Sequence, residues 1–219
     1  MKIVIINGSP RENGLTATIL RNIGKNMEEL GAIVEYFDLV RLTMSQCQGC
    51  CVCYMTGRCY LNDDAEMIIK HIEDADGLIL GSPTYASNVS GYMKLLIDRG
   101  HFVIEQLLSN KYCITVATGE NYGNKKVAKI LNELISYSGG RLVRSVAIKA
   151  PFNNVDSVKY NKLGSVSARK LFDAISARKK YHLQAVFHWI IFTFGIKPFV
   201  MKKGSKYEGV VTKWKGYSV

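Results

Sequence analysis

Apolar residues along the chain keep two alternating rhythms. Ile3–Ile6 is a continuous apolar run, the pattern of a strand buried on both faces. Asn7–Gly14 is turn chemistry. From Leu15 the spacing changes, and Leu15, Ile19, Ile23, Met27 and Leu30 recur at steps of three and four before Gly31 acts as a stop. Ile33–Leu39 then reads as a strand. A helix from Asp63-Asp64 to about Glu73 follows, with acids in its first turn where the helix dipole favours them. Gly77–Gly81 reads as a strand, Ser90–Leu108 as a helix, Tyr112–Thr118 as a strand, Lys125–Ser138 as a helix and Leu142–Ile148 as a fifth strand. Five alternations predict an α/β fold with a parallel sheet covered by helices on both faces. Residues 151–164 read as polar and irregular. Val166–Phe194 reads as one long helix stopped by Pro198. No repeat or linker is visible, so the expected organisation is a domain over residues 1–150 and a helical C-terminal extension over 151–219.

The loops carry the chemistry. Asn7-Gly-Ser-Pro-Arg-Glu-Asn-Gly-Leu-Thr16 joins the first strand to the first helix, where free backbone N–H groups and the positive end of the helix dipole meet. Ser9 and Thr16 add hydroxyls, and Arg11 adds charge and a donor fork. No Lys follows Gly14, so this is not a Walker loop. With only Gly8 and Gly14 it is not the dinucleotide fingerprint either. Glycines that merely shape a tight turn are the alternative. Gly81–Gly91 after the third strand adds the rigid Pro83 and the aromatic Tyr85, and Thr118–Asn124 follows the fourth. In a doubly wound sheet these loops meet where the strand order reverses.

NGSPRENGLT, GSPTYASNVSGYMK and TGENYG together resemble the phosphate loop, flavin loop and third loop of the flavodoxin-like NADPH-dependent FMN reductase family, over roughly residues 1–150. The resemblance implies a doubly wound five-stranded sheet in the order 2-1-3-4-5 and bound FMN. Ser9, Arg11, Asn13 and Thr16 would hold the phosphate. Pro83, Thr84, Tyr85 and Asn88 would line the isoalloxazine ring, with Met93 and Lys94 nearby, and Gly119 and Tyr122 would close the third side. Taken alone, Tyr85 reads as a packed loop aromatic. The formal glycosylation sequon Asn88-Val-Ser90 reads as chance.

Five of the six cysteines lie between positions 47 and 59. Cys47, Cys50 and Cys53 follow C-x2-C-x2-C, the spacing with which ferredoxin chains wrap a cubane cluster, and Cys59 comes five residues further on. Zinc also accepts four thiolates, but its sites usually use two separated C-x2-C knuckles. A redox disulfide or a structural role are the other readings. The complete set resembles the iron–sulfur flavoprotein branch of the same family. That implies one [4Fe–4S] cluster on Cys47, Cys50, Cys53 and Cys59, exchanging electrons with FMN. Cys51 stands outside the set, and Cys113 reads as a small buried apolar residue in the fourth strand.

Composition changes the picture at one point. Hydrophobic residues make up 47% and charged residues 21%, as in folded domains, and the net charge of +11 suggests an anionic partner. However, residues 141–219 hold 16 Lys/Arg against three acids, while residues 1–140 carry a net charge of −2. The domain that carries the motifs is nearly neutral, which argues against a nucleic-acid binder. The C-terminal helix bears Arg169, Lys170, Arg178, Lys179 and Lys180, then turns apolar in AVFHWIIFTFGI. About fourteen apolar residues are too few to span a bilayer. Docking on its own domain or on a second subunit is therefore preferred over an interfacial membrane helix.

With no apolar signal core at the N-terminus, a cytoplasmic location is expected. The function expected is an FMN-dependent electron-transfer oxidoreductase that couples a [4Fe–4S] cluster to FMN, with no catalytic side chain beyond the flavin. NAD(P)H, a quinone or a ferredoxin would be donor or acceptor, and the protein would be a homo-oligomer, dimer or tetramer. A cluster-free NAD(P)H-dependent FMN or quinone reductase is the first alternative, and a non-enzymatic redox sensor or binding module the second.

Overall fold

A computed structural model describes residues 1–151 and 157–217. Strands β1 (Lys2–Asn7), β2 (Ile33–Asp38), β3 (Gly77–Pro83), β4 (Tyr112–Gly119) and β5 (Arg141–Lys149) form one parallel sheet in the order β2-β1-β3-β4-β5. The helices are α1 (Leu15–Glu29), α2 (Val52–Thr56), α3 (Asp64–Glu73), α4 (Gly91–Arg99), α5 (Phe102–Glu105), α6 (Asn124–Tyr137), α7 (Ser157–Ser176), α8 (His182–Ile191), α9 (Lys197–Met201) and α10 (Glu208–Tyr217).

The sheet is buried on both faces, which is why its central strands read as unbroken apolar runs. Successive side chains alternate across it. Ile3 and Ile5 meet Ile19, Leu20 and Ile23 of α1 and Ala168 and Leu171 of α7 on one face. Val4 and Ile6 meet Ile68 and Ile72 of α3, Met93 of α4 and Leu131 of α6 on the other. Cys113 is fully buried in this second layer, as read from sequence, and burial pushes its thiol up to about 12.

Two helices differ from the sequence reading. The stretch Ser90–Leu108 divides: α4 ends at Arg99, the chain turns through His101 at φ +47°, and α5 follows. The Phe102 ring fills the space beside Gly100, where an added Cβ would lie 2.2 Å from it. The stretch 166–194 is not one helix either. α7 already begins at Ser157 within the segment read as irregular, of which 152–156 lie outside the described residues. It ends at Ser176, and Arg178 sits at φ +45° in the turn before α8.

Pro198 does not stop the helix. A π-turn over Phe192–Ile196 lies between α8 and α9, and Pro198 falls directly after it in the first turn of α9, where helices tolerate proline. The helical stretch His182–Met201 is therefore 20 residues long with mean hydropathy 1.4, long and apolar enough to cross a membrane by length and composition, against the fourteen residues expected. Phe192, Ile196 and Val200 pack inward on Val210 and Trp214, while Leu183, Trp189, Phe194 and Phe199 stay exposed. The stretch thus docks on its own domain along one stripe only.

α8 is tied down by polar contacts. The Gln184 amide accepts from the Leu142 N–H at 2.8 Å and donates to the Leu142 carbonyl at 3.0 Å. His188 Nε2 lies 2.6 Å from Gln106 Oε1. Burial lowers the His188 pKa below its ordinary value. As pH falls through about 6.5 the unfolded ring takes up a proton before the folded one, so acidification costs the fold stability. An NMR titration of the ring is expected to give a midpoint below about 6.5, and a midpoint at or above it contradicts the assignment.

Candidate functional site

The carboxyl ends of β1, β3 and β4 are stitched together by their loops. The Gly8 N–H donates to the Gly81 carbonyl at 2.8 Å, the Ser90 hydroxyl to the Gly8 carbonyl at 2.6 Å, and the Thr84 N–H to the Thr118 carbonyl at 2.7 Å. Gly8 is required by this approach, since a Cβ there would lie 2.9 Å from the Met93 Cβ and 3.2 Å from the Gly81 carbonyl oxygen. The loop after β3 closes in a two-residue turn. Tyr85 and Asn88 exchange backbone bonds of 3.0 and 2.9 Å across Ala86 and Ser87, which both hold positive φ. That hairpin conformation normally takes Gly or Asn, and each such non-glycine residue stores about 1–3 kcal/mol of strain, as functional turns often do.

Between these loops lies a cavity of about 310 Å³. Its wall includes Ser9, Arg11, Asn13, Thr16, Pro83, Thr84, Tyr85, Gly119 and Tyr122, nine of the ten loop residues singled out in the sequence. Asn88 is the tenth, and it is turned away: its side-chain oxygen accepts from the Val89 N–H at 2.8 Å. Met93 and Lys94 do not line the cavity either. Met93 is fully buried in the core, and Lys94 forms an ion pair with Asp98. Thr118 and Glu120 of the third loop, placed at the crevice but not singled out, also line it, as do Ala150 and Pro151, which the sequence reading passed over. The rule that strand carboxyl ends converge would have found Ala150 and Pro151 after β5, but no glycine-rich motif marks that loop.

The cavity offers donors at one end. α1 starts at Leu15 behind Gly14, and no side chain caps it, so its first-turn N–H groups have no intrahelical partner. The Ser9 hydroxyl accepts from the Arg11 N–H at 3.1 Å, shaping the loop, and the buried Thr16 and Thr118 hydroxyls share a 2.7 Å hydrogen bond. The Thr84 hydroxyl is buried in the wall and has no hydrogen-bond partner among the described residues. An uncapped helix end and an orphaned hydroxyl in one cleft suit an anionic, polar-edged ligand such as FMN.

None of the cysteines of the segment 47–59 lines the cavity. The segment's two ends are pinned at one point. The Ser45 N–H donates to Asp63 Oδ2 at 2.8 Å, and Arg99, only 1% exposed, donates to the Ser45 carbonyl at 2.7 Å and to both Asp63 oxygens at 2.7 and 3.0 Å. Burial would raise the Asp63 pKa, but the bonds from Arg99 and from the Ser45 and Ala65 N–H groups outweigh it and hold the carboxyl below its ordinary value. Arg99 Nε is buried and has no hydrogen-bond partner among the described residues, and Cys59 is one of the groups that hold up the Arg99 charge.

All six cysteines are free. Cys47, Cys50 and Cys51 are exposed, Cys59 is half-buried, and Cys53 on α2 is buried. Burial, then Glu105, pushes the Cys53 thiol up to about 12. Four free thiols on one pinned segment suit iron or zinc in donor type. Among the described residues, however, no three Cys, His, Asp or Glu side chains converge as a formed metal site.

Fold and cavity together define a flavodoxin-like protein with a ligand cleft at the switch point of its sheet. The sequence profile of the NADPH-dependent FMN reductase family matches residues 1–153, and the chain belongs to that family. It is a flavin-dependent oxidoreductase that uses FMN. An iron-sulfur flavoprotein from Clostridioides difficile is 35% identical over 98% of this chain and 97% of its own length. An iron-sulfur flavoprotein from Archaeoglobus fulgidus is 31% identical over 68% of this chain and 73% of its own. Among solved structures, a flavone reductase superposes with a TM-score of 0.65 at 16% identity, covering 80% of this chain and 63% of that one. An NADH:FMN oxidoreductase gives 0.57 at 17% identity, covering 82% and 90%. At such identities these two likenesses bear on the fold alone.

Proposed function

We propose that the protein is an iron–sulfur flavoprotein in which FMN occupies the cleft at the ends of β1, β3 and β4 and a [4Fe–4S] cluster is held by Cys47, Cys50, Cys53 and Cys59. The observation that carries the flavin assignment is the convergence of nine motif residues from three loops on one cavity. In this reading Ser9, Arg11, Asn13, Thr16 and the first turn of α1 hold the phosphate. Pro83, Thr84 and Tyr85 flank the ring, with Gly119 and Tyr122 on the third side. Bound FMN supplies redox chemistry in one- and two-electron steps, and the side chains bind, orient and exclude water. NAD(P)H, a quinone or a protein electron carrier is the partner, and residues 1–150 form the flavin unit.

The cluster assignment rests on the four free thiols, their spacing and the full-length relative named an iron-sulfur flavoprotein. It requires Cys47 and Cys50 to turn inward from their exposed positions as metal binds. The proton leaving the buried Cys53 is displaced by the metal charge.

Anaerobic purification followed by flavin, iron and acid-labile sulfide analysis tests both assignments. One FMN and about four irons per chain are expected, and about none in a variant with all four cysteines changed to Ser. Fewer than about one iron per chain after full reconstitution removes the cluster and leaves a cluster-free flavin reductase.

A further inference from the structure

The C-terminal extension lies beyond the residues shared with the family profile, yet it returns to the cysteine segment. We propose that α10 is the seat of α2, holding Cys53 buried in place, and that Gly209 is the positioning residue of that seat.

Gly209 stands in the first turn of α10. A Cβ added there would lie 2.2 Å from the Gly57 backbone nitrogen, 2.8 Å from the Met55 carbonyl oxygen and 2.8 Å from the Thr56 carbonyl carbon. All three are backbone atoms of α2 and its terminating turn, so no side chain can swing aside to make room. Gly costs a helix about 1 kcal/mol relative to Ala. The close approach of two backbones is the physical reason for one here. Gly57 in turn ends α2 at φ +79°.

The seat is anchored from below and from the side. Lys213 of α10 bridges Glu105 Oε2 at 2.7 Å and Glu73 Oε1 at 2.9 Å, and Glu105 has no exposed surface. A buried carboxylate is tolerated only with such a partner. Trp214 Nε1 donates to the Ile104 carbonyl at 3.0 Å, and the Tyr207 ring, just before α10, stacks on Tyr54 of α2 at 4.7 Å. α2 is thus held by α10 and the turn before it, and of the four proposed ligands Cys53 is the one that is buried.

The protein carries its own control. At Gly216, on the same helix, an added Cβ meets nothing within 4 Å. Thiol labelling of metal-free, full-length protein with a maleimide, read residue by residue by mass spectrometry, is the experiment. Gly209→Ala is expected to speed labelling of Cys53 by about tenfold or more through local opening, with Cys113 still protected and FMN still bound. Gly216→Ala is expected to change nothing. Iron retained after reconstitution is expected to fall at least by half in Gly209→Ala.

If Gly209→Ala also exposes Cys113, the whole domain has opened, and Trp214→Phe decides instead. It deletes the bond to Ile104 and trims the ring that packs on Phe192, and is expected to speed Cys53 labelling by about two- to threefold. Unchanged protection of Cys53 in a folded Gly209→Ala protein, or in Trp214→Phe where that variant decides, overturns the seat. The iron readout rests on the cluster reading, whereas the labelling does not. Exposure of Cys53 in a protein that never binds iron would keep the seat and remove the cluster.

Discussion

Replacing Asn13 by Asp is expected to weaken FMN binding by about ten- to a hundredfold while leaving the apoprotein as stable or slightly more so. The exchange is nearly isosteric at an exposed position in the cavity wall, one residue before Gly14 at the start of α1. For the empty protein, a carboxylate at a helix N-terminus is favourable by about 0.3–1 kcal/mol. For a bound phosphate the sign reverses. Two unit charges 4 Å apart repel by about 1 kcal/mol in water and about 4 kcal/mol at a surface-like dielectric, and 1.4 kcal/mol is a factor of about ten. The opposed signs make the test specific, because a merely damaged loop would lose both stability and binding. Flavin fluorescence titration gives the affinity and urea unfolding the stability. Unchanged affinity at low salt would remove the phosphate from this end of the cavity.

Arg99→Met is expected to destabilise the protein by about 3–5 kcal/mol, measured by denaturant unfolding. The guanidinium is buried, holds both Asp63 oxygens and donates to the Ser45 carbonyl, so its loss leaves a largely buried carboxylate without a cationic partner and the two ends of the cysteine segment joined by the Ser45 N–H bond alone. Lys is expected not to rescue it, since one ammonium cannot reproduce a two-pronged grip. The pH dependence follows from the lowered Asp63 pKa. In the native protein this carboxylate contributes stability that is present above its ordinary value near 3.8 and lost as pH falls through the lower folded value. Without Arg99, only the Ser45 and Ala65 N–H bonds still oppose burial, so the folded pKa rises and stability begins to fall at a higher pH. Identical acid limbs in the two proteins would contradict this role.

Arg99 shows how little of the cysteine site's support was readable beforehand. In the sequence it is one of several charged residues on an amphipathic stretch, and its pairing with Asp63, 36 residues earlier, has no local signature. The flavin cavity was far more legible. Its residues lie in loops whose Gly, Pro, Ser and Thr content is itself the signal, and the fold rule brings those loops together once strands and helices are placed. The exceptions follow from single contacts. Asn88 spends its side-chain oxygen on the backbone of the next residue, and Met93 is drawn into the core beside Gly8. Neither preference is visible in a motif. The C-terminal helix was misjudged because a proline was read as a stop, whereas it falls in the first turn after a π-turn, where helices tolerate it.

The sequence by itself determined the parallel sheet, its covering helices and the three loops that meet at their strand ends. These follow from apolar periodicity and turn chemistry, which act between residues close along the chain. The tertiary structure alone decided where the cysteine segment is held, which motif residues turn away from the cleft, and that the C-terminal helix returns to α2. Gly209 and Gly57 are 152 residues apart, and their backbones touch because the fold between them brings them there. No rhythm of hydrophobic and polar positions encodes such a contact, since it depends on the summed path of every element in between.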